Sequence, residues 1–482
     1  DESSHREATA AALERVLRDV INREVAVNRK QLADKMFRLG RITTQRTGPH
    51  TTIEVWEDGF EYRLLSTQLA EVSRKREALE GKKKDALKWA RTKKAARRAS
   101  DGSGAAAGEA APGVDTEVPE MPDNPTGMEL VEVVETITVQ LLVLQKQEAK
   151  LGKKKAALDM EKESVVVEIK RVRDEEASRF NKRPVLNSRY LLMNLLGKGG
   201  FSEVWRALDL TTVTEVAVKV HQLAAHWSED KKQNYIKHAT REYAIHKRLK
   251  HPRVVRLLDV FEIDFNSFAT VLEFCRGTDL DCRLKEEGHI GEREARSIVL
   301  QIMAALCYLN GCDSTSAADV SRPKVIHFDL KPANILFDSH MGVKVTDFGL
   351  SKVVDDGAGD LTSMELTSQG AGTYWYLPPE CFRVGTTPPR ISSRVDVWSL
   401  GVIFFQMLYG RRPFGHGQSQ EAVLQDKVIL NAGEVDFPAQ PKVSAECKSF
   451  IRRCLTPQQD IRPDVTELAK DPYLLLKMTG KV

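Results

Sequence analysis

The sequence predicts an α+β chain in two unlike parts: a long helical region, then a compact part with a small strand-rich lobe followed by a larger helical one. Two patterns predict this. Between residues 128 and 180 apolar residues recur seven apart, which is the repeat of paired helices. From Tyr190 onward short β-branched runs such as "EVAVKV" and "FATVLEF" precede helical patterns such as "EREARSIVLQIMAALCYL" and "DVWSLGVIFFQML".

Taken in order, residues 1–98 form a helical region with one interruption. Leu13, Leu17, Val20 and Val27 recur at helical spacing between charges, giving a helix from Ala8 to about Leu39. In "RTGPHTTIEVWEDGFEY" Gly48 and Pro49 break the period, and the Thr, Ile, Val and Trp after them favour a short strand or extended segment. Helix resumes near Leu64, with Leu65, Leu69, Val72 and Leu79 on one seam. Its end, "GKKKDALKWARTKKAARR" from Gly81 to Arg98, is strongly basic. A solvated helix face, an importin-type signal and a site for an acidic partner are all compatible with it. Residues 99–127, rich in Gly, Ala and Pro, are expected to be a flexible linker.

The second helical stretch, 128–180, carries Ile137, Leu144, Leu151, Leu158, Val165 and Val172 seven apart, with Val134, Leu141 and Ile169 at the complementary positions. A coiled coil is the expectation, with Glu148, Lys155 and Lys162 weakening the seam and fixing its register. A solvated single helix or an intramolecular hairpin with the first helical region is the alternative.

Composition limits the function classes. At 482 residues the chain exceeds one ordinary core. A net charge of +4 is too small to imply nucleic-acid binding, and the basic stretch lacks the interleaved aromatics of a single-strand platform, leaving at most a weak, salt-sensitive association. The seven cysteines lie between Cys275 and Cys454 with no CxxC pair, so neither a disulfide framework nor a zinc site is predicted and a reducing compartment fits best. No apolar run approaches the roughly 20 residues of a membrane span, so no membrane partner is expected. The chain starts at Asp1 without a Met, so a fragment is expected, with room for a targeting segment ahead of it.

The compact part opens with "LLGKGGFSEVW", where Gly197, Gly199 and Gly200 around Lys198 let backbone N–H groups approach a phosphate. A plain glycine turn between strands has the same appearance, and Ser202 stands where a third glycine is usual. In "VAVK", Ala217 and Lys219 share one face of a strand. An inward Lys needs an anion or a carboxylate, which phosphate oxygens or Glu242 of "ATREYAIHKRL" would supply. The stretch "VIHFDLKPANILF" then sets Asp329, Lys331 and Asn334 within six positions, and Asp347 follows in "VTDFGLS". Phosphoryl transfer needs such groups: Asp329 to orient the attacking hydroxyl and take its proton, Asn334 and Asp347 as oxygen ligands of Mg2+, and Lys331 as a cation beside the moving phosphate.

Together these motifs resemble the protein-kinase set, over roughly Tyr190 to Leu476. The resemblance implies a bilobal protein-kinase fold behind the helical coiled-coil region, with the small lobe over 190–274 and the large one over 275–476. It implies ATP beneath the loop from Gly197 to Val204 and against Ala217, Lys219 on its phosphates, and Glu242 orienting Lys219. A hinge from Glu273 to Cys275 would follow a gatekeeper at Leu272, and Asp279 would reach the ribose. "GTYWYLPPE" resembles the end of an activation segment, Glu380 and Arg462 a buried ion pair bracing the large lobe, and Asp396 an acceptor beneath the catalytic loop. "DLKPAN" and Thr373 are similar to Ser/Thr rather than tyrosine kinases.

Many kinases have an Arg before the catalytic Asp, neutralised by a phosphorylated activation loop. Phe328 occupies that position and cannot make the charge-assisted bond. Activation is therefore expected to depend less on a phosphate there, although Thr362, Ser363, Thr367 and Ser368 are available for modification elsewhere. "KHATREYAIHKRLKHPRVVRL", "MELTSQGAGTYWYLPPECF" and "GRRPFGHGQSQ", behind a coiled coil and "RYLLM", resemble the Tousled-like kinases. That resemblance implies homo-oligomers formed through the coiled coils, a nuclear location, and protein substrates including histone chaperones of the anti-silencing type. A catalytically silent scaffold with the kinase fold is the alternative, against which the complete set Lys219, Glu242, Asp329, Asn334 and Asp347 counts. The insertion "NGCDSTSAADVSRP" suits a surface loop.

Overall fold

The computed structural model describes residues 2–48, 51–99, 126–224, 226–312, 324–354, 373–383 and 391–475. The expected linker, most of the insertion and the activation-segment hydroxyls at 362–368 lie outside the described residues. The chain divides into two compact units, one formed by 1–21 with 171–482 and the other by 22–170.

Helix α1 (Glu2–Leu39), which enters the second unit at Asn22, leads into a hairpin of β1 (Gly40–Arg46) and β2 (Thr52–Asp58), then α2 (Phe60–Ala99) and α3 (Gly127–Ala177), which leaves that unit after Lys170. Where a single short strand was expected there are two, in full antiparallel register from Gly40↔Asp58 to Arg46↔Thr52. The polar, β-branched run on both sides of Gly48 and Pro49 supplies strand formers to each arm. Gly40, at φ 139°, has no room for a Cβ against Trp56 and the Glu57 carbonyl. The second helix starts at Phe60 rather than near Leu64, because the Gly59 N–H ties back to the Leu39 carbonyl at 2.8 Å and closes the hairpin onto both helices.

The α3 seam is partly used inside the chain. Ile137 and Leu141 pack on Leu79 of α2, with Val133 and Leu144 around them. Two of the charged seam residues also find partners within the unit: Glu148 meets Arg76 at 3.1 Å, and Lys162 lies over the rings of Trp56 and Tyr62. This is the geometry of an antiparallel helical hairpin. Met128, Val131, Val139, Leu142, Val143 and Val167 nevertheless remain exposed on α3.

The first unit holds the two lobes. The small lobe is a six-stranded antiparallel sheet in the order β3-β4-β5-β6-β8-β7, with β3 Val185–Leu186, β4 Tyr190–Lys198, β5 Ser202–Asp209, β6 Thr214–Gln222, β7 Leu257–Asp264 and β8 Ser267–Glu273. Helix α4 (Glu229–His246) precedes β7 and starts at an N-cap Ser228 that accepts from the Lys231 N–H. One sheet face is dry: Leu192, Leu195, Trp205, Val218 and Val271 pack there with Phe180.

The large lobe is built on α5 (Leu280–Glu287), α6 (Glu292–Asn310) and two short hairpins, β9 (Lys324–Ile326) with β12 (Lys352–Val354) and β10 (Ile335–Phe337) with β11 (Val343–Val345). Helices α7 (Arg394–Tyr409), α8 (Gln420–Gln425), α9 (Ala445–Cys454), α10 (Val465–Ala469) and α11 (Pro472–Leu475) complete it. α7 is apolar on nearly all faces and is the central helix, ending at Gly410 in the left-handed conformation. Across this lobe Arg462 donates to both Glu380 oxygens at 2.8 and 3.0 Å, with both side chains at 2% exposure or less. Such a pair is costly to assemble but far costlier to leave half-made.

His221, on β6, stacks on Phe268 at 4.5 Å and meets the Tyr235 hydroxyl at 2.9 Å. Burial, with the Lys219 charge nearby, pushes its imidazole down to about 3. The folded protein keeps His221 neutral while an unfolded chain protonates it, so stability is lost as pH falls below about 6.5. Urea unfolding at pH 7 and pH 5 should show His221→Phe losing about 2 kcal/mol less than wild type over that interval.

Candidate active site

The β4–β5 hairpin forms the glycine-rich loop. The Gly199 N–H closes it on the Ser202 carbonyl at 2.7 Å. A Cβ built at Gly197 or Gly200 would meet no protein atom within 4 Å, so these glycines leave open space rather than relieve a clash. Phe201 at the tip sets its ring edge on Trp227 at 4.7 Å.

Strand register places the next residues. Gly197, Val204, Lys219 and Thr270 lie directly opposite one another across β4, β5, β6 and β8, and so share one face. Ala217 lies on that face too, two residues before Lys219 and opposite Leu272. The Lys219 ammonium sits between Glu242 of α4 at 3.4 Å and Asp347 at 3.3 Å. Burial works to lower its pKa, but the two carboxylates outweigh this and hold it above the ordinary lysine range. Burial pushes the Glu242 carboxyl up, against the pull of Lys219.

The loop that carries Asp329 lies between β9 and β10. Asp396 of α7, fully buried, accepts the His327 N–H at 2.8 Å and the Phe328 N–H at 2.9 Å. Burial raises its carboxyl pKa, opposed by His327 and these two N–H groups. Phe328 and Asp347 both adopt positive φ, 67° and 65°, a conformation that costs a non-glycine residue on the order of 1 kcal/mol or more and persists only when its surroundings impose it. His327 Nε2 bonds to the Thr346 carbonyl at 3.0 Å, and the Thr346 N–H donates to the Asn334 carbonyl at 3.0 Å, which fixes Asp347 relative to the loop. Asn334 Nδ2 donates to the Asp329 carbonyl at 2.8 Å and to its Oδ2 at 3.2 Å, while Lys331 Nζ meets the same Oδ2 at 2.7 Å.

The fold thus brings the residues expected to form the site into two connected clusters, Lys219–Glu242–Asp347 and Asp329–Lys331–Asn334. Other named residues have further roles. The Lys198 ammonium lies 3.6 Å from Glu203. Glu273 meets Lys344 at 2.7 Å, and Cys275 is buried with its thiol pushed up to about 12 by burial and the Glu273 charge. Asp279 caps α5, accepting the Cys282 N–H at 2.8 Å. His327, Thr346 and Gly277 went unassigned in the sequence. A Cβ at Gly277 would strike the Phe337 carbonyl at 2.7 Å, a close approach that only the fold reveals.

The donor set fits a metal–nucleotide ligand. Asp347 offers a carboxylate and Asn334 an amide oxygen, the hard oxygen donors that Mg2+ takes, and the glycine loop leaves room for phosphates above Lys219.

Phe328 is 5% exposed among Ile326, Leu377, Cys381, Ile391 and Val395. Phe328→Arg puts a guanidinium among these apolar side chains and should lower stability by roughly 3 kcal/mol, measured by chemical unfolding.

Residues 190–474 match the family model described as the protein kinase domain. The chain is 47% identical over 457 residues to "Serine/threonine-protein kinase tousled-like 1-B" of Danio rerio, covering 93% of this chain and 59% of the relative. It is 45% identical over 476 residues to "Serine/threonine-protein kinase TOUSLED" of Arabidopsis thaliana, covering 98% and 64%. Against "Serine/threonine-protein kinase tousled-like 2" of Mus musculus it is 53% identical over 348 residues, covering 71% and 47%. The chain thus spans about half to two thirds of the length of these relatives. With the ion-paired Lys219, the Asp396-held loop and these matches together, the chain belongs to the protein kinase family, in its Tousled-like branch.

Proposed function

We propose that the protein transfers the γ-phosphoryl group of ATP to Ser or Thr hydroxyls of protein substrates. The observation that carries this is the Lys219 ammonium held between Glu242 and Asp347, with Asp329 and Asn334 hydrogen-bonded on the loop tied to the same segment. Bound Mg-ATP supplies an activated phosphoryl group and neutralises charge as it moves. Lys219 would hold phosphate oxygens, and Asn334 and Asp347 would hold the metal. Asp329 orients the incoming hydroxyl and takes its proton, and Lys331, already on Asp329, balances charge beside it. A groove of about 600 Å3 lined by Lys331, Thr373, Trp375 and Arg412 offers the substrate segment a bed beside Asp329.

The proposed biological setting is phosphorylation of histone chaperones of the anti-silencing type in the nucleus by self-associated chains. The family resemblance supports the setting. The exposed apolar residues of α3 support association, since they leave a second face free after Ile137 and Leu141 are covered.

Phosphate incorporation from labelled ATP into the protein itself and into a histone chaperone tests the activity. Asp329→Ala should reduce it roughly a hundredfold or more, the contribution of a positioned general base. Equal incorporation by the variant would defeat the assignment of Asp329. Sedimentation of the triple variant Val131→Glu, Val139→Glu, Leu142→Glu tests association: the expected result is a smaller species than wild type, and an unchanged one removes α3 from the interface.

A further inference from the structure

The C-terminal two turns of α3 make an unusual set of bonds to the strand that carries the glycine-rich loop. The β4–β5 ladder slips register between Leu195 and Gly197, a bulge that disturbs the regular backbone pairing beside it. α3 supplies partners at that point. The Leu195 N–H donates to Glu175 Oε2 at 3.0 Å, and Arg171 donates to the Leu195 carbonyl at 2.9 Å. Glu175 is 5% exposed, and its other oxygen accepts from Arg183 at 2.8 Å, while Arg183 also donates to the Met193 carbonyl.

A second set of contacts reaches the loop itself. The Ser178 hydroxyl donates to the buried Glu203 at 2.6 Å, and Glu203 also accepts from Trp205 Nε1 at 3.2 Å. Lys198, on the other arm of the hairpin, places its ammonium 3.8 Å from Asp174 of α3 and 3.6 Å from Glu203. Both arms of the hairpin therefore bond to the end of α3 and the residue that follows it. A coiled-coil helix needs no buried carboxylate at its last turn, and a small lobe needs none from outside its sheet. Burying Glu175 is worthwhile only if all its bonds are made, and those bonds define where Leu195, and hence Gly197, must lie.

We propose that Arg171 and Glu175 are positioning residues of the nucleotide site: they clamp Leu195 across the bulge, and with Asp174 and Ser178 they set the pose of the phosphate-binding loop. The end of the long helix is thus a working part of the site, and an event that shifts that helix shifts affinity for the phosphates. This rests on ATP binding beneath the loop. The loop contacts phosphates and the hinge contacts the base, so the clamp governs ATP far more than adenosine.

Calorimetric titration of the full chain with Mg-ATP and, separately, with adenosine tests this for Glu175→Gln, Arg171→Ala and Arg171→Lys. The expected result is an ATP affinity about tenfold weaker in the first two, the change that losing a hydrogen bond to a charged group brings, with adenosine affinity unchanged and Arg171→Lys partly restored. Thermal unfolding confirms that each variant is folded, and the half-buried Arg171 provides the test if Glu175→Gln does not fold. ATP affinity equal to wild type in a folded Arg171→Ala, or ATP and adenosine weakened alike, overturns the clamp. Absence of ATP binding by the wild type would instead overturn the nucleotide site on which the clamp depends.

Discussion

The Asp396 carboxylate, sealed inside the large lobe, is the constraint from which the site's geometry follows. It takes the N–H groups of two consecutive loop residues, His327 and Phe328, at 2.8 and 2.9 Å. Those bonds hold Phe328 at a positive φ that its side chain would otherwise avoid, and so turn the next residue, Asp329, toward Lys331 and Asn334. The central position of α7 makes this possible: an apolar helix packed on nearly all faces offers one buried acceptor at a fixed point. The strained loop is thus an extension of the core.

The apolar setting of Phe328 bears on regulation. Where a phosphate-receiving Arg would need a polar opening toward the activation segment, the chain has Phe328 closed in by Leu377, Ile391 and Val395. The segment's end is instead fixed by packing and by hydrogen bonds such as that from Ser399 to the Tyr376 carbonyl at 2.7 Å. The described end of that segment is thus held by packing and hydrogen bonds rather than by a charge.

Much of this was legible in the sequence because its motifs are local. Asp329, Lys331 and Asn334 lie within one turn of chain, and the alternation in "EVAVKV" already placed Ala217 and Lys219 on one face. The heptad seam was equally plain, but periodicity says that a stripe will be buried without saying by what, and Leu79 of the same chain covers part of it. The hairpin at 40–58 was read as one strand because its first arm, "GRITTQR", is too polar to announce itself. Arg171 and Glu175 had no signal at all: charges four apart on a helix are its commonest surface pattern, and only the bulge opposite them gives them work.

The Glu380–Arg462 pair joins positions 82 apart in the chain, and its second member comes late. During synthesis the segment bearing Glu380 leaves the ribosome well before Arg462, with a carboxylate destined for a site of 2% exposure and no cation to meet it. Until then the large lobe has no good way to close around that charge. A chain cut short by a premature stop ahead of Arg462 would keep every residue of both catalytic clusters, yet remain unable to bury Glu380 without its counterion.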